Sequence, residues 1–159
     1  MTISVWRRWA CAIATVLLGL GAPSVRGHEI RPAIVTVTID LEHQRFDILV
    51  ALNLEALIAG IGDAHRDTDE APESVRYNTL RRQGPDTLRD KFSSQSQRWL
   101  DGISLAFDMA RSEPAIAEVF IPPTGDTSRA RISSIRLIGA IPAGAMTMQW
   151  AYGKSFGSN

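Results

Sequence analysis

Residues 33–40 of the chain read Ala-Ile-Val-Thr-Val-Thr-Ile-Asp, and residues 46–52 read Phe-Asp-Ile-Leu-Val-Ala-Leu. In the first stretch Val35, Val37 and Ile39 fall on one face, which predicts a strand with that face buried. The second stretch shows a similar β-rich alternation, and a short polar break separates the two. Together they predict an antiparallel hairpin at the start of a β protein.

A segment of helical composition follows this hairpin. Asn53 offers an N-cap to a short helix that ends at Gly60. Residues 71–83 and 85–100 are predicted helical, and β patterns return at 103–107, 115–121, 130–138 and 146–152. The predicted fold class is α+β, mainly antiparallel β, with sandwich-like sheets and a helical insertion over about residues 54–101 between strands 2 and 3.

The pattern also predicts which side chains lie inside the fold. On the helices the expected core residues are Val75, Leu80, Leu88, Phe92, Trp99 and Leu100. Core packing is also expected for Trp150, Phe107, Phe120 and Tyr152, in preference to an aromatic ligand platform. The arginines 81, 82, 129, 131 and 136 are interleaved with acidic residues, which favours a solvated face over contact with lipid headgroups.

The first 27 residues have the order of a secretory signal peptide. Arg7 and Arg8 precede an apolar run at 10–20, and small residues lead to His28. The run is shorter than the roughly 20 residues that cross a bilayer. Cleavage after Ser24 and cleavage after Gly27 both fit, and the paired arginines leave a twin-arginine signal open. The expected location is periplasmic, at the outer face of the inner membrane.

Removal of residues 1–27 changes the charge and the cysteine content. The 17 basic residues fall to 14 with the loss of three arginines, while all 17 acidic residues stay, so the net charge becomes −3. This balance gives nucleic-acid binding no electrostatic support. The single cysteine, Cys11, leaves with the signal segment. The remaining residues 28–152 are expected to form one periplasmic domain without disulfides, and residues 153–159 a linker or truncated tail.

Several short segments of this domain are shared with one group of bacterial proteins. They are His28-Glu29-Ile30-Arg31-Pro32-Ala33, Leu52-Asn53-Leu54-Glu55-Ala56-Leu57, His65-Arg66-Asp67-Thr68-Asp69, Gly139-Ala140-Ile141-Pro142 and Gln149-Trp150-Ala151-Tyr152. Taken together, they resemble the extracytoplasmic N-terminal region of HupE/UreJ-like membrane proteins. The resemblance covers most of the domain.

The resemblance implies an accessory role in nickel metabolism. Proteins of this family are described as hydrogenase and urease accessory proteins and as candidate nickel permeases, with apolar helices after the N-terminal region. The family's nickel-handling residues lie on those helices, and the chain stops at Asn159 before one could begin. No transport residue is therefore carried over. The resemblance implies a truncated fragment whose partner is a membrane protein or its own missing C-terminal membrane part.

Two constellations suit a metal ion. If cleavage follows Gly27, the free α-amine and imidazole of His28 can chelate Cu(II) or Ni(II), with His43 or His65 as a further ligand. In an extended loop His65, Asp67 and Asp69 would share one side and could bind a divalent cation. The alternatives are a mobile N-terminal tail for the first set and a solvated acidic loop for the second.

The remaining expectations concern activity and association. No Gly-x-Ser-x-Gly elbow is present and the three histidines lack recognisable catalytic neighbours, so a non-enzymatic binding role is predicted. A stand-alone periplasmic copper- or nickel-binding protein is the alternative to the HupE/UreJ-like domain. The strand at 146–152 is followed by residues too polar to form a returning strand, which predicts an unpaired edge and self-association through it.

Overall fold

In the computed structural model, residues 32–62 and 68–153 are described. The predicted signal peptide, His28, His65, Asp67 and the tail after Gly153 lie outside these residues. The predicted hairpin is present: β1 (Ile34–Asp40) pairs antiparallel with β2 (Arg45–Leu52). On β2 every second side chain, from Phe46 to Leu52, is buried, as the alternation predicts.

Five further strands complete two antiparallel sheets. They are β3 (Ile103–Phe107), β4 (Ala110–Ser112), β5 (Ala115–Phe120), β6 (Ser133–Ala140) and β7 (Met148–Tyr152). One sheet has the order β1-β2-β6-β5 and the other the order β4-β3-β7. The predicted α+β fold, mainly antiparallel β, is confirmed.

The helices of the described residues lie between β2 and β3 in the chain, as predicted. They are α1 (Leu54–Ala59), a 3-10 turn (Thr68–Glu70), α2 (Ser74–Leu80), α3 (Pro85–Ser93) and α4 (Ser96–Asp101). The Asn53 side chain accepts a hydrogen bond from the N–H of Ala56, and Gly60 ends α1 with a φ of 89°. The stretch predicted as one helix over 85–100 is two helices, since the chain breaks at Ser94 and Gln95.

Aromatic side chains join the two sheets and the helices. The rings of Phe46 on β2 and Phe107 on β3 lie 5.7 Å apart. Trp99 on α4 meets Phe92 edge to face at 5.7 Å and donates its indole N–H to the hydroxyl of Tyr152 on β7. The core therefore lies between the sheets and continues under α3 and α4.

Several core predictions are wrong for identifiable reasons. Val75 is 79% exposed because it stands two positions before Tyr77, about 200° around α2 from it, and the buried side of the helix carries Tyr77 and Leu80. Phe120 lies on the outer face of the four-stranded sheet, because the bulge after Ile116 reverses the alternation expected along β5. A strand pattern cannot reveal such a bulge.

The predicted buried face of β1 is only partly buried. Val37 and Ile39 point to the core side of the sheet, opposite Ile48 and Phe46 on β2, yet they are 39% and 42% exposed. Strand β1 has a sheet neighbour on one side only, so this end of the core is left open.

Candidate binding face of the four-stranded sheet

The outer face of the four-stranded sheet is made by side chains that point away from the core. Pairing of the strands places Leu49, Arg136 and Glu118 in one row across β2, β6 and β5. The next row carries Asp47 and Ile138. We call this surface the outer sheet face.

Large apolar side chains on the outer sheet face meet water. Ile34 is 68% exposed, Phe120 56%, Leu49 42% and Ile138 41%. Ile34 and Phe120 end the same cross-strand row, on β1 and β5. Since strands in a sheet lie about 4.8 Å apart, this row is about 14 Å wide between backbones. Apolar side chains spread over a face of this width are typical of a contact surface.

A charged groove of about 700 Å³ opens at the end of this face where the β1–β2 turn lies. Its floor includes Ala115, Ala117 and Ile138, and its walls carry ionisable groups from the turn, from β2 and β6 and from Glu113. The groove combines an apolar floor with charged walls, which is the composition of a surface that recognises a polypeptide or a small polar ligand.

Two ionisable groups of the groove, Asp47 and Arg136, form an ion pair. The Arg136 guanidinium donates two hydrogen bonds to one carboxylate oxygen of Asp47. This hydrogen-bonding lowers the pKa of Asp47 and raises that of Arg136. The pair crosses from β2 to β6 diagonally, because Asp47 is registered with Ile138 and Arg136 with Leu49. Arginine in this setting is a common interface residue.

A second charged cluster closes the β1–β2 turn. Asp40 accepts a hydrogen bond from the backbone N–H of His43 at 3.0 Å, lies 2.9 Å from His43 Nδ1, and accepts from Arg45 Nε at 3.0 Å. These bonds, first of all the one from the His43 backbone, lower the pKa of the Asp40 carboxyl. An ionised carboxylate favours the His43 tautomer with its proton on Nδ1, so the lone pair sits on Nε2.

A third polar cluster is buried, and sequence reasoning missed it. Arg131 Nε donates to Glu55 Oε1 at 2.7 Å, and the two side chains are only 10% and 1% exposed. Arg131 also donates to the carbonyl oxygens of Pro122 and Gln83, both at 3.1 Å. The predicted solvated face is therefore wrong for Arg131. The sequence signal for this cluster is Glu55, since a carboxylate on the apolar helix α1 needs a buried cation as its partner.

Arg81 corrects the same prediction at a second position. It is 6% exposed, stands 5.2 Å over the ring of Tyr77, and donates to the backbone oxygen of Arg129. The Tyr77 hydroxyl accepts a hydrogen bond from Asn53 at 2.8 Å. Burial is the main cause of the raised pKa of Tyr77. These contacts fasten the β5–β6 loop to α1 and α2, so this cluster is structural.

The residues predicted to hold a metal ion are dispersed where the structure describes them. His43 lies in the turn before β2, whereas Asp69 lies close enough to Tyr77, beyond the far end of β2, to influence its ionisation. The length of β2 separates them, about 23 Å for a strand of this size. One ion cannot bind both. In residues 32–62 and 68–153, no group of three His, Cys, Asp or Glu side chains is arranged for a metal; His28, His65 and Asp67 are outside those ranges.

Comparison of the chain with models of protein families, with curated proteins and with solved structures gave no match. Among the residues the structure describes, no helix has the length and hydropathy to cross a membrane.

Proposed function

We propose that this chain is an exported, non-enzymatic binding domain of the HupE/UreJ-like type, and that its outer sheet face contacts a membrane-protein partner. The observation that carries the proposal is the exposure of Ile34, Leu49, Phe120 and Ile138 on one sheet face. Export is supported by the signal-peptide pattern of residues 1–27, and the type by the short segments that resemble this family.

The composition of the outer sheet face suits protein contact. Apolar side chains alternate with the Asp47–Arg136 pair, so the face offers both buried area and a charge-assisted anchor. A partner that supplies a complementary flat apolar surface would cover all four exposed side chains at once. Because Asp47 and Arg136 are paired within the face, a partner need not bring a counter-charge for either of them.

The test is cell fractionation of the source organism expressing the full chain with a C-terminal tag. We expect a processed N-terminus by mass spectrometry and co-sedimentation with membranes. The variant Leu49→Asp/Phe120→Asp should move to the soluble periplasmic fraction. The control Val75→Asp, at a position of similar or greater exposure on α2, should stay with the membranes.

Two results would contradict the proposal. An intact Met1 on a cytoplasmic product would remove export. Membrane association equal in the native chain and the outer-face variant would remove the outer sheet face as the contact surface, and would leave export standing.

A second candidate function, copper or nickel binding, is favoured by one observation at His43. Metal-binding histidines usually donate a hydrogen bond from the N–H of their second ring nitrogen to a carboxylate, and His43 Nδ1 lies 2.9 Å from Asp40 Oδ2, as this requires. We propose that His43 Nε2 joins the amine and imidazole of His28 if cleavage follows Gly27. The test is calorimetry with Cu(II) and Ni(II) on the processed protein, on its His43→Gln variant and on the protein with an added N-terminal glycine. Both changes should weaken metal binding. Equal affinity in all three proteins would exclude this site.

A further inference from the structure

Among the described residues, strand β1 is an edge of the four-stranded sheet and pairs with β2 alone. Natural edge strands carry lysines, prolines or bulges that discourage pairing with another chain. Residues 34–39 contain none of these and no charged side chain. The strand is seven residues long and pairs in unbroken register with β2, so its opposite side presents a regular row of backbone groups.

The other sheet edges in the described part of the chain are less suited to pairing. Strand β5 is interrupted by a bulge between Ile116 and Glu118 and carries the charge of Glu118. Strand β4 has three residues, and β7, the edge that the sequence predicted for association, has five. Length and regularity together favour β1, whose first six residues are uncharged.

The sequence of β1 is complementary to itself in the antiparallel direction. With Val37 opposite Val37 of a second copy, Val35 faces Ile39 and Thr36 faces Thr38. The core-side row then consists of β-branched apolar pairs, and the centre of the outer row consists of threonine pairs, both of which stabilise antiparallel strands. At each end of the outer row Ile34 faces Asp40 of the other copy. We infer that β1 pairs with β1 of a second copy of this chain around a two-fold axis at Val37.

This pairing covers side chains that the single chain leaves open. Val37 and Ile39 lie on the core side at 39% and 42% exposure. In the pair, Val37 would pack against Val37 of the second copy, and Ile39 against its Val35. The two sheets would join into one of eight strands, ordered β5-β6-β2-β1-β1-β2-β6-β5. The two outer sheet faces would then lie side by side. The inference does not depend on the proposed function, since it uses the edge and not the face.

Charges placed at positions 36 and 38 test both the edge and its register. Both threonines are exposed and lie on the outer side of β1. In the two-fold pair, Thr36→Lys/Thr38→Lys puts two lysine–lysine contacts across the axis. Thr36→Lys/Thr38→Glu has its substitutions at the same sites but creates two lysine–glutamate contacts. The matched control Gln149→Lys/Ala151→Lys places the same charges on β7.

Sedimentation equilibrium of the full chain and each variant over a concentration series gives the dimer affinity. We expect a dimer for the native chain, for the lysine–glutamate variant and for the β7 control, and about tenfold weaker dimerisation for the double-lysine variant. Circular dichroism melts verify folding, and Thr36→Glu/Thr38→Glu replaces the double-lysine variant if that one unfolds. A monomeric native chain, or a double-lysine variant that dimerises like the native chain, would overturn the inference. Equal weakening by the lysine–glutamate variant would overturn the register.

Discussion

Replacing Arg131 with methionine is expected to destabilise the protein by about 3–5 kcal/mol, since this removes one partner of a buried ion pair. The Glu55 carboxylate is 1% exposed, and its second oxygen, Oε2, has no hydrogen-bond partner among the described residues. Without Arg131 the charge of Glu55 would stay in the core uncompensated. The β5–β6 loop would also lose its internal hydrogen bond from Arg131 to Pro122 and its hydrogen bond to Gln83, which follows α2.

Removing both charges should cost less than removing the cation alone. In Glu55→Leu/Arg131→Met two apolar side chains replace the pair, so no buried charge remains. We expect this double variant to recover about 2 kcal/mol or more of the stability lost in Arg131→Met. The matched control is Arg129→Met, an exposed arginine two residues earlier in the same loop, which should stay within about 0.5 kcal/mol of the native protein.

Urea unfolding at pH 7, followed by the fluorescence of the buried Trp99, measures these free energies of unfolding. With the single variant Glu55→Leu added, the native chain, Arg131→Met and the double variant form a double-mutant cycle that gives the coupling energy of the pair. A loss below about 1 kcal/mol for Arg131→Met would refute the reasoning, since surface pairs have that value. A double variant as unstable as the single one would show that the loop hydrogen bonds, and not the buried charge, dominate.

Two further predictions concern a glycine and a carboxylate. Gly139→Ala should destabilise the protein by about 1–3 kcal/mol, because the new Cβ would lie 2.4 Å from the Phe46 ring. The control is Gly125→Ala, whose Cβ meets no atom within 4 Å, and thermal melts compare the two variants. Hydrogen bonds from the Thr147 hydroxyl and from the backbone N–H groups of Met146 and Thr147 lower the pKa of Asp108. The stability that Asp108 contributes is therefore present above the unfolded-state pKa of about 3.9 and is lost as the pH falls. The variant Asp108→Asn should therefore lose less stability than the native protein between about pH 5 and pH 2, and identical pH profiles would contradict this.

Local patterns were sufficient to predict most of the fold. The alternation in β2, the Asn53 cap and the Gly60 terminus each depend on neighbouring residues, and each is confirmed. Strand β4 was missed because its turn uses Asp108 and Met109 at positive φ, where glycine or asparagine is the usual signal. Turn chemistry that departs from the usual residues cannot be read from composition.

The candidate site was less predictable, because it depends on pairings between distant residues. Arg136 and Asp47 are 89 positions apart, and Arg131 and Glu55 are 76 apart. Spacing along the chain carries no information about such contacts. The exposure of Leu49 and Phe120 likewise depends on which sheet face lacks a covering layer, and that follows from the strand order and not from the strand pattern.

The strand order also constrains when the domain can fold during synthesis. Strand β2 pairs with β6, and β3 pairs with β7. Among the described residues, those of β7 are synthesised last. Trp99 obtains its hydrogen-bond partner only when Tyr152 has emerged. A nascent chain that ends before residue 152 therefore holds an incomplete core, and such distant pairings are slow to form. Within the described residues, folding of the whole core during synthesis must therefore wait until β7 has left the ribosome.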